Sequence, residues 1–257
     1  TPAAGTITAI DAGTRIDADG DMVFDTAVTG VNQHPGFCGF FAKQAESGNG
    51  LMSNVATALD VIDNLTPGSQ PTRGQTAREL VPVADLVNQA YSGGAHSPDV
   101  RSAWTTGCTS NGGDLGGERF AYRLRGNLHI TSAGTKTFMV NSDDGYSLRI
   151  GYTTVMEYNA NRGPAGDTRR VSFAQPGVYP IELIYWEQGG NSTMELLMAD
   201  SAVCFNGTTA TSNCTTYTDR SNAAVLTAAQ AAGFTIMGST QVAPATWSTV
   251  ADRCTPY

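Results

Sequence analysis

Residues 141–151 read NSDDGYSLRIG, and this stretch decides the fold. Before it, Phe138 and Val140 alternate with polar residues; after it, Tyr146, Leu148 and Ile150 do the same. Period two is the signature of strands with one buried face. The stretch therefore reads as a β-hairpin with Asp143-Asp144-Gly145 at its turn, because glycine reaches positive φ at no steric cost and aspartate tolerates it. Two adjacent carboxylates at such a turn repel each other. Either solvent absorbs that repulsion or a cation removes it.

The same alternation extends in both directions. Phe120, Tyr122, Leu124, Leu128 and Ile130 lie on one parity; Val171 and Phe173, then Ile181, Leu183 and Tyr185, then Met194, Leu196 and Met198 continue it. Turns containing Gly, Pro and Asn separate these runs at the short spacing of a sandwich or barrel. The expected fold is mainly β, a β-barrel or β-sandwich with a few short helices. One helix is expected in SNVATALDVIDN, where Val55, Ala58, Leu59 and Ile62 have helical spacing and Ser53 is available as N-cap. A loop is expected over 64–79, a second helical fragment over VADLVNQAY (83–91), and a short helix capped by Asn222 and ended by Gly233, with an irregular remainder.

Composition narrows the function. The chain has 257 residues with 29 glycines, 15% charged residues, 40% hydrophobic residues and a formal net charge of −8. That is enough apolar content for a core, and a pattern of many turns. The negative charge disfavours nucleic acid as a partner, since that affinity comes mostly from Lys and Arg neutralising phosphates. No run of eighteen apolar residues occurs, and the opening TPAAGTITAI lacks the pattern of a signal peptide, so an exported protein with its signal removed is expected. Cys38, Cys108, Cys204, Cys214 and Cys254 form no C-x-x-C pair. Disulfides in an oxidising compartment are expected, with Cys204–Cys214 as the first pairing across CFNGTTATSNC. The pattern of Cys38, Cys108 and Cys254 stays open.

Catalytic constellations are scarce. His34, His96 and His129 are far apart, and no H-E-x-x-H, G-x-S-x-G or P-loop occurs, so the chain reads as no enzyme. The Asp17, Asp19, Asp21 spacing begins like a calcium loop but lacks the EF-hand's glycine and distal glutamate, and reads as a polar turn. Trp104, Trp186 and Trp247 are core residues or sugar platforms; Trp186 stands out because it leads directly into the loop EQGGNS (187–192).

Three stretches taken in order, GFCGFFAK (36–43), TKTFMVNSDDGYSLRIG (135–151) and GVYPIELIYWEQGGNSTMELLM (177–198), resemble the PA-fourteen family. This is the β-barrel module first named from anthrax protective antigen and found in adhesins, glycosidases and flocculins. The resemblance covers residues 36–200, leaving residues 1–35 as an N-terminal β extension and 201–257 as a disulfide-containing C-terminal extension. It implies an extracellular recognition module in which paired aspartates, joined by a cis peptide, hold calcium that in turn coordinates sugar hydroxyls. Carried onto this sequence, the metal set is Asp143, Asp144, Gln188, Gly190 and Ser192. The ligand-binding rim is Gly145, Asn161, Trp186, Glu187 and Asn191, with the loop YNANRGPAGDTRR (158–170) beside it.

The architecture also resembles the variable domain of a myxobacterial cell-surface receptor that recognises its own kind before outer-membrane exchange. The basic residues are almost all arginine, with only Lys43 and Lys136 as lysines, which fits a GC-rich genome. Two partners are thus expected as alternatives, a cell-surface glycan or an identical domain on a neighbouring cell. A third reading is a non-catalytic module of a larger secreted enzyme.

Overall fold

The computed structural model of the chain describes residues 37–45, 51–63, 73–81, 83–87, 101–102, 119–150, 153–190, 192–218, 223–238 and 242–244. The expectations for 1–35, Trp104, Trp247, Asn191, Asn222, Cys108 and Cys254 lie outside them. The described part is mainly β. The first sheet runs in the order β2 (Arg73–Val81), β1 (Phe37–Gln44), β5 (Phe120–Ile130), β10 (Gly177–Glu187), β7 (Gly145–Ile150) and β8 (Thr153–Tyr158), with β16 (Val242–Pro244) paired to β5. The second runs β14 (Thr216–Thr218), β9 (Ala165–Phe173), β6 (Gly134–Asp143), β11 (Thr193–Ala199), β3 (Asp85–Val87) and β4 (Arg101–Ser102), with β15 (Phe234–Ile236) on β11. A small ribbon joins β12 (Cys204–Phe205) to β13 (Ala210–Thr211), and the Cys204–Cys214 bond forms across it as expected. The sheets do not close into a barrel among the described residues.

The alternating residues face one another between the sheets. Phe120, Tyr122, Leu124, Leu128 and Ile130 from β5, with Tyr146, Leu148, Ile150, Ile181, Leu183 and Tyr185, meet Phe138, Val140, Val171, Phe173, Met194 and Leu196 in a single core. Helix α1 (Val55–Asp63) covers the outer face of the first sheet, burying Ala58, Val61 and Ile62 against Ala42, Ala121, Ile184 and Trp186. Helix α2 (Ala223–Ala231) covers the second sheet with Leu226 and Ala229 against Met139, Leu197 and Phe205. Because both faces of β10 are covered, its sequence IELIYWE is nearly continuous in apolar residues rather than alternating.

Several local expectations need correction. The segment 135–151 is not a hairpin: β6 pairs with β9 and β11, whereas β7 pairs with β8 and β10, so the chain crosses between sheets at Asp143-Asp144. Period two reveals which face of a strand is buried, not which strand lies beside it. Residues 73–79 are strand, held as the sheet-edge partner of β1, and 85–87 are strand paired to β11 rather than helix. The helix α1 is capped by Asn54, not Ser53. Asn54 Oδ1 accepts from the Thr57 N–H at 2.9 Å while Thr57 Oγ1 accepts from the Asn54 N–H at 3.2 Å, a reciprocal pair that needs the residue three positions on. Gly233 ends α2 with φ of 94°, as expected, but β15 and β16 give the following stretch more order than foreseen.

Leu183 is fully buried at the centre of β10, between β5 and β7. Leu183→Ala is expected to lower unfolding free energy by about 2–5 kcal/mol, measured by urea denaturation.

Candidate functional site at the sheet crossing

The crossing between β6 and β7 carries the two aspartates, and the peptide joining them is cis. Both are nearly buried, Asp143 at 9% and Asp144 at 6% exposure. From the end of β10, Glu187 joins them with no exposure at all, and one carboxylate oxygen from each of the three lies within 4.8 Å of the others. Three acids are thus gathered from two segments more than forty positions apart in sequence.

Backbone groups fix this arrangement. Asp144 Oδ1 accepts from the Arg162 N–H at 2.9 Å and Oδ2 from the Gln188 N–H at 2.8 Å, so one carboxylate ties together the crossing, the loop 159–164 and the end of β10. Glu187 Oε1 accepts from the Gly189 N–H at 2.7 Å. The Tyr185 hydroxyl donates to the Asp143 carbonyl at 2.6 Å, and the Ser142 hydroxyl donates to that of Asp144 at 2.8 Å.

One cation stands beside the acids. Arg162 packs over Tyr158, with its guanidinium 4.4 Å from the ring centre, and donates to Ser142 Oγ, the Ala165 carbonyl and Asp167 Oδ2. Its hydrogen bonds thus go beside the cluster, not to it, and only its backbone N–H touches Asp144. Burial, then the Asp144 charge, push the Asp143 carboxyl up to about 7 despite the opposing Arg162 charge. Burial also raises Asp144, opposed by the N–H groups of Gln188 and Arg162. Burial raises the Tyr185 hydroxyl well above its usual range, with the charges of Glu187, Asp143 and Asp144 adding to the effect. Hard oxygens in close, poorly neutralised array are the donor set of a divalent cation such as calcium.

The remaining expected residues fall into distinct places. Gln188 contributes its backbone N–H to Asp144, while its side-chain oxygen accepts from Asn161, turning that amide away from the cluster. Asn161 also accepts from Trp186 Nε1 at 2.9 Å and donates to the Met52 carbonyl at 3.3 Å, so it braces the rim. Trp186 is fully buried against α1, and a Cβ at Gly145 would stand 2.1 Å from its ring, which leaves no ring face for a sugar. Ser192 is buried and adjacent to Tyr185; Gly190 is exposed with φ of 103°. Asn191 lies outside the described residues. The second half of the expected loop 158–170 is strand β9. Sequence reasoning placed Glu187 on the rim rather than among the acids, and missed Arg162 and Asp167, single charges in a polar stretch with no spacing to mark them.

The described fold is a two-sheet β-sandwich with a buried acidic cluster at one end, fixed by loop backbone. The chain belongs to the family described as outer membrane exchange protein TraA, N-terminal domain, which matches residues 32–242. No curated protein matches the sequence. Among solved structures, a PA14 sugar-binding domain from an RTX adhesin is 20% identical, over 81% of this chain and 98% of that one, with a TM-score of 0.45. The Epithelial Adhesin 9 A domain from Candida glabrata, in complex with Galb1-3GlcNAc, is 11% identical over 72% of this chain and 91% of that one, TM-score 0.41. An anti-sigma factor domain-containing protein is 12% identical over 82% of this chain, TM-score 0.45; the chain spans about half of it, 49%.

The raised Asp143 carboxyl sets a sign for stability against pH. The folded, metal-free chain keeps a proton there up to about 7, whereas the unfolded chain releases it in the ordinary carboxylate range. The folded state therefore binds more protons between those limits, and its stability falls as pH rises through that window. Thermal melts in chelator are expected to give a lower melting temperature at pH 8 than at pH 5.5, with Asp143→Asn flattening the dependence.

Proposed function

We propose that the chain is an exported, cell-surface recognition module whose binding rim is organised around calcium. Asp143, Asp144 and Glu187 would hold the ion, and hydroxyls of a cell-surface glycan would complete its shell. The observation that carries this reading is the three-carboxylate cluster, oriented by the N–H groups of Arg162, Gln188 and Gly189. Calcium takes roughly six to eight oxygens, and the cluster brings one oxygen from each of three carboxylates together, so positions remain for a ligand. Bound calcium supplies charge that relieves the mutual repulsion of the acids. The chain's own residues do the rest: Asn161 and Trp186 hold the 187–190 loop against the 159–164 loop, and Gly190 and Ser192 lie on the continuation of that loop. The loops can change specificity while the sandwich stays fixed.

A second reading starts from the family description, outer membrane exchange protein: exchange between two outer membranes would bring facing surfaces together, and the partner would be an identical domain on the neighbouring cell. In that case the same rim meets a second copy of the domain. Both readings place the chain at the cell surface. Among the described residues no helix is long and apolar enough to cross a membrane.

Calcium at a hundredfold excess over its dissociation constant should stabilise the fold by about 2.7 kcal/mol, seen as a raised melting temperature. Asp144→Asn should lose that rise. On a glycan array the chain should retain glycans in calcium and release them in chelator, while beads coated with it should aggregate only if the partner is a second copy. Glycan retention unchanged by chelator and by Asp144→Asn would remove calcium from the account.

A further inference from the structure

Among the described residues the sandwich is open along one side, between β8, the edge of the first sheet, and β14, the edge of the second. A cavity of about 320 Å³ lies there, lined by Tyr146, Met156, Tyr158, Asp167, Arg169 and Thr216 among others. Its first wall is the continuation of the core face: Tyr146 stands opposite Tyr158, and Leu148 opposite Met156. Its second wall follows the same logic on β9, where Asp167 and Arg169 share the parity of the core residues Val171 and Phe173. An apolar residue would fit that parity. The chain instead places a guanidinium there, and Arg169 Nε is buried with no hydrogen-bond partner.

The nearby carboxylate on the same strand is already committed. Asp167 Oδ2 accepts from the Tyr146 hydroxyl at 2.8 Å and from Arg162 Nη1 at 2.7 Å, and Oδ1 accepts from the Thr216 hydroxyl at 2.5 Å. On the opposite face of β9, by contrast, Arg170 is satisfied by the carbonyls of Ala202 at 2.8 Å and Ser212 at 2.6 Å. Arg169 lines the cavity, and among the described residues no hydrogen bond or ion pair ties its guanidinium to the walls, so the group can pair with an anion that enters.

The walls define what fits. A guanidinium presents paired N–H donors matched to a planar carboxylate. Glu157 and Asp167 on the same walls oppose a second negative charge. Met156 and the Tyr158 ring supply apolar surface that a bare inorganic anion would not use. The volume is at the lower end for ligand sites, which suits one small ring. We propose that this cavity binds a monosaccharide-sized carboxylate ligand, an acidic sugar, with Arg169 taking the carboxylate and Tyr158 and Met156 packing on the ring. The site is separate from the acidic cluster and does not rest on calcium.

The test is titration of the whole chain, in chelator, with D-glucuronate, D-glucose and inorganic sulfate, followed by amide NMR shifts. Glucuronate is expected to give saturable shifts at Thr168, Arg169, Thr215 and Thr216, and glucose none. Arg169→Gln should weaken glucuronate at least about tenfold, the scale of one lost charged hydrogen bond. Thr215→Trp, at an exposed position on the mouth, should block entry without altering the core and covers the case in which Arg169→Gln perturbs folding. Because the titration runs in chelator, saturable glucuronate shifts are read with no calcium at the acidic cluster, so failure of the calcium reading and failure of this one are told apart. Absence of saturable shifts, equal binding of sulfate or glucose, or full affinity in both cavity variants would overturn the proposal.

Discussion

The Asp144 carboxylate is the constraint on which the site depends. Its two oxygens accept from the backbone of Arg162 and of Gln188, so the sheet crossing, the 159–164 loop and the end of β10 are set relative to one another by a single side chain. A carboxylate accepting backbone N–H groups is held far more rigidly than an exposed acid at a turn. That rigidity brings Glu187, at the last position of β10, to Asp143 and Asp144. The scaffold behind it is equally fixed: Trp186 packs on Gly145, where no side chain fits, and bonds Asn161, which in turn bonds Gln188.

Charge sets this arrangement apart from a structural brace and is the ground on which a cation site is proposed. A structural brace needs one carboxylate and its donors; here two more acids are added at close range in a nearly water-free place, and the neighbouring arginine spends its side-chain hydrogen bonds elsewhere. Burial first, and the Asp144 charge second, raise Asp143 to about 7, so in the metal-free chain a proton sits there below that pH. In the proposed function the proton and the cation are alternatives at the same place. On the open side of the sandwich Arg169 takes a core-facing position on β9, and the Arg162–Asp167 pair links that strand to the loop whose backbone holds Asp144.

The core was legible in the sequence because period-two alternation is a direct consequence of strand geometry: Phe120 to Ile130, Phe138, Val140 and Tyr146 to Ile150 all face inward as their parity requires. Pairing was not legible, since the same parity fits a hairpin or a crossing between sheets, and only the long-range ladders of β6 with β11 and β7 with β10 decide. The strand RGQTARELV carries too few apolar residues to announce itself and exists because β1 supplies its partner. At the site, Asp143 and Asp144 were marked by adjacency. Glu187 was visible as a loop residue but not as a third acid, because its approach depends on β10 and β7 being neighbours. Trp186 read as a core residue or a sugar platform, and α1 covering its face decides for the core, a fact of tertiary packing that no local window contains.

The central claim is that Asp143, Asp144 and Glu187 form a cation site, and terbium luminescence tests it most directly. Terbium takes the oxygen ligands that calcium takes, and Tyr185 and Trp186 stand beside the cluster to sensitise its emission, the Tyr185 hydroxyl being 2.6 Å from the Asp143 carbonyl. The account predicts sensitised emission that saturates with terbium, is displaced by calcium and is lost in Asp143→Asn and Asp144→Asn variants that still fold. Emission no greater than that of free terbium, or emission that survives both substitutions, would contradict it.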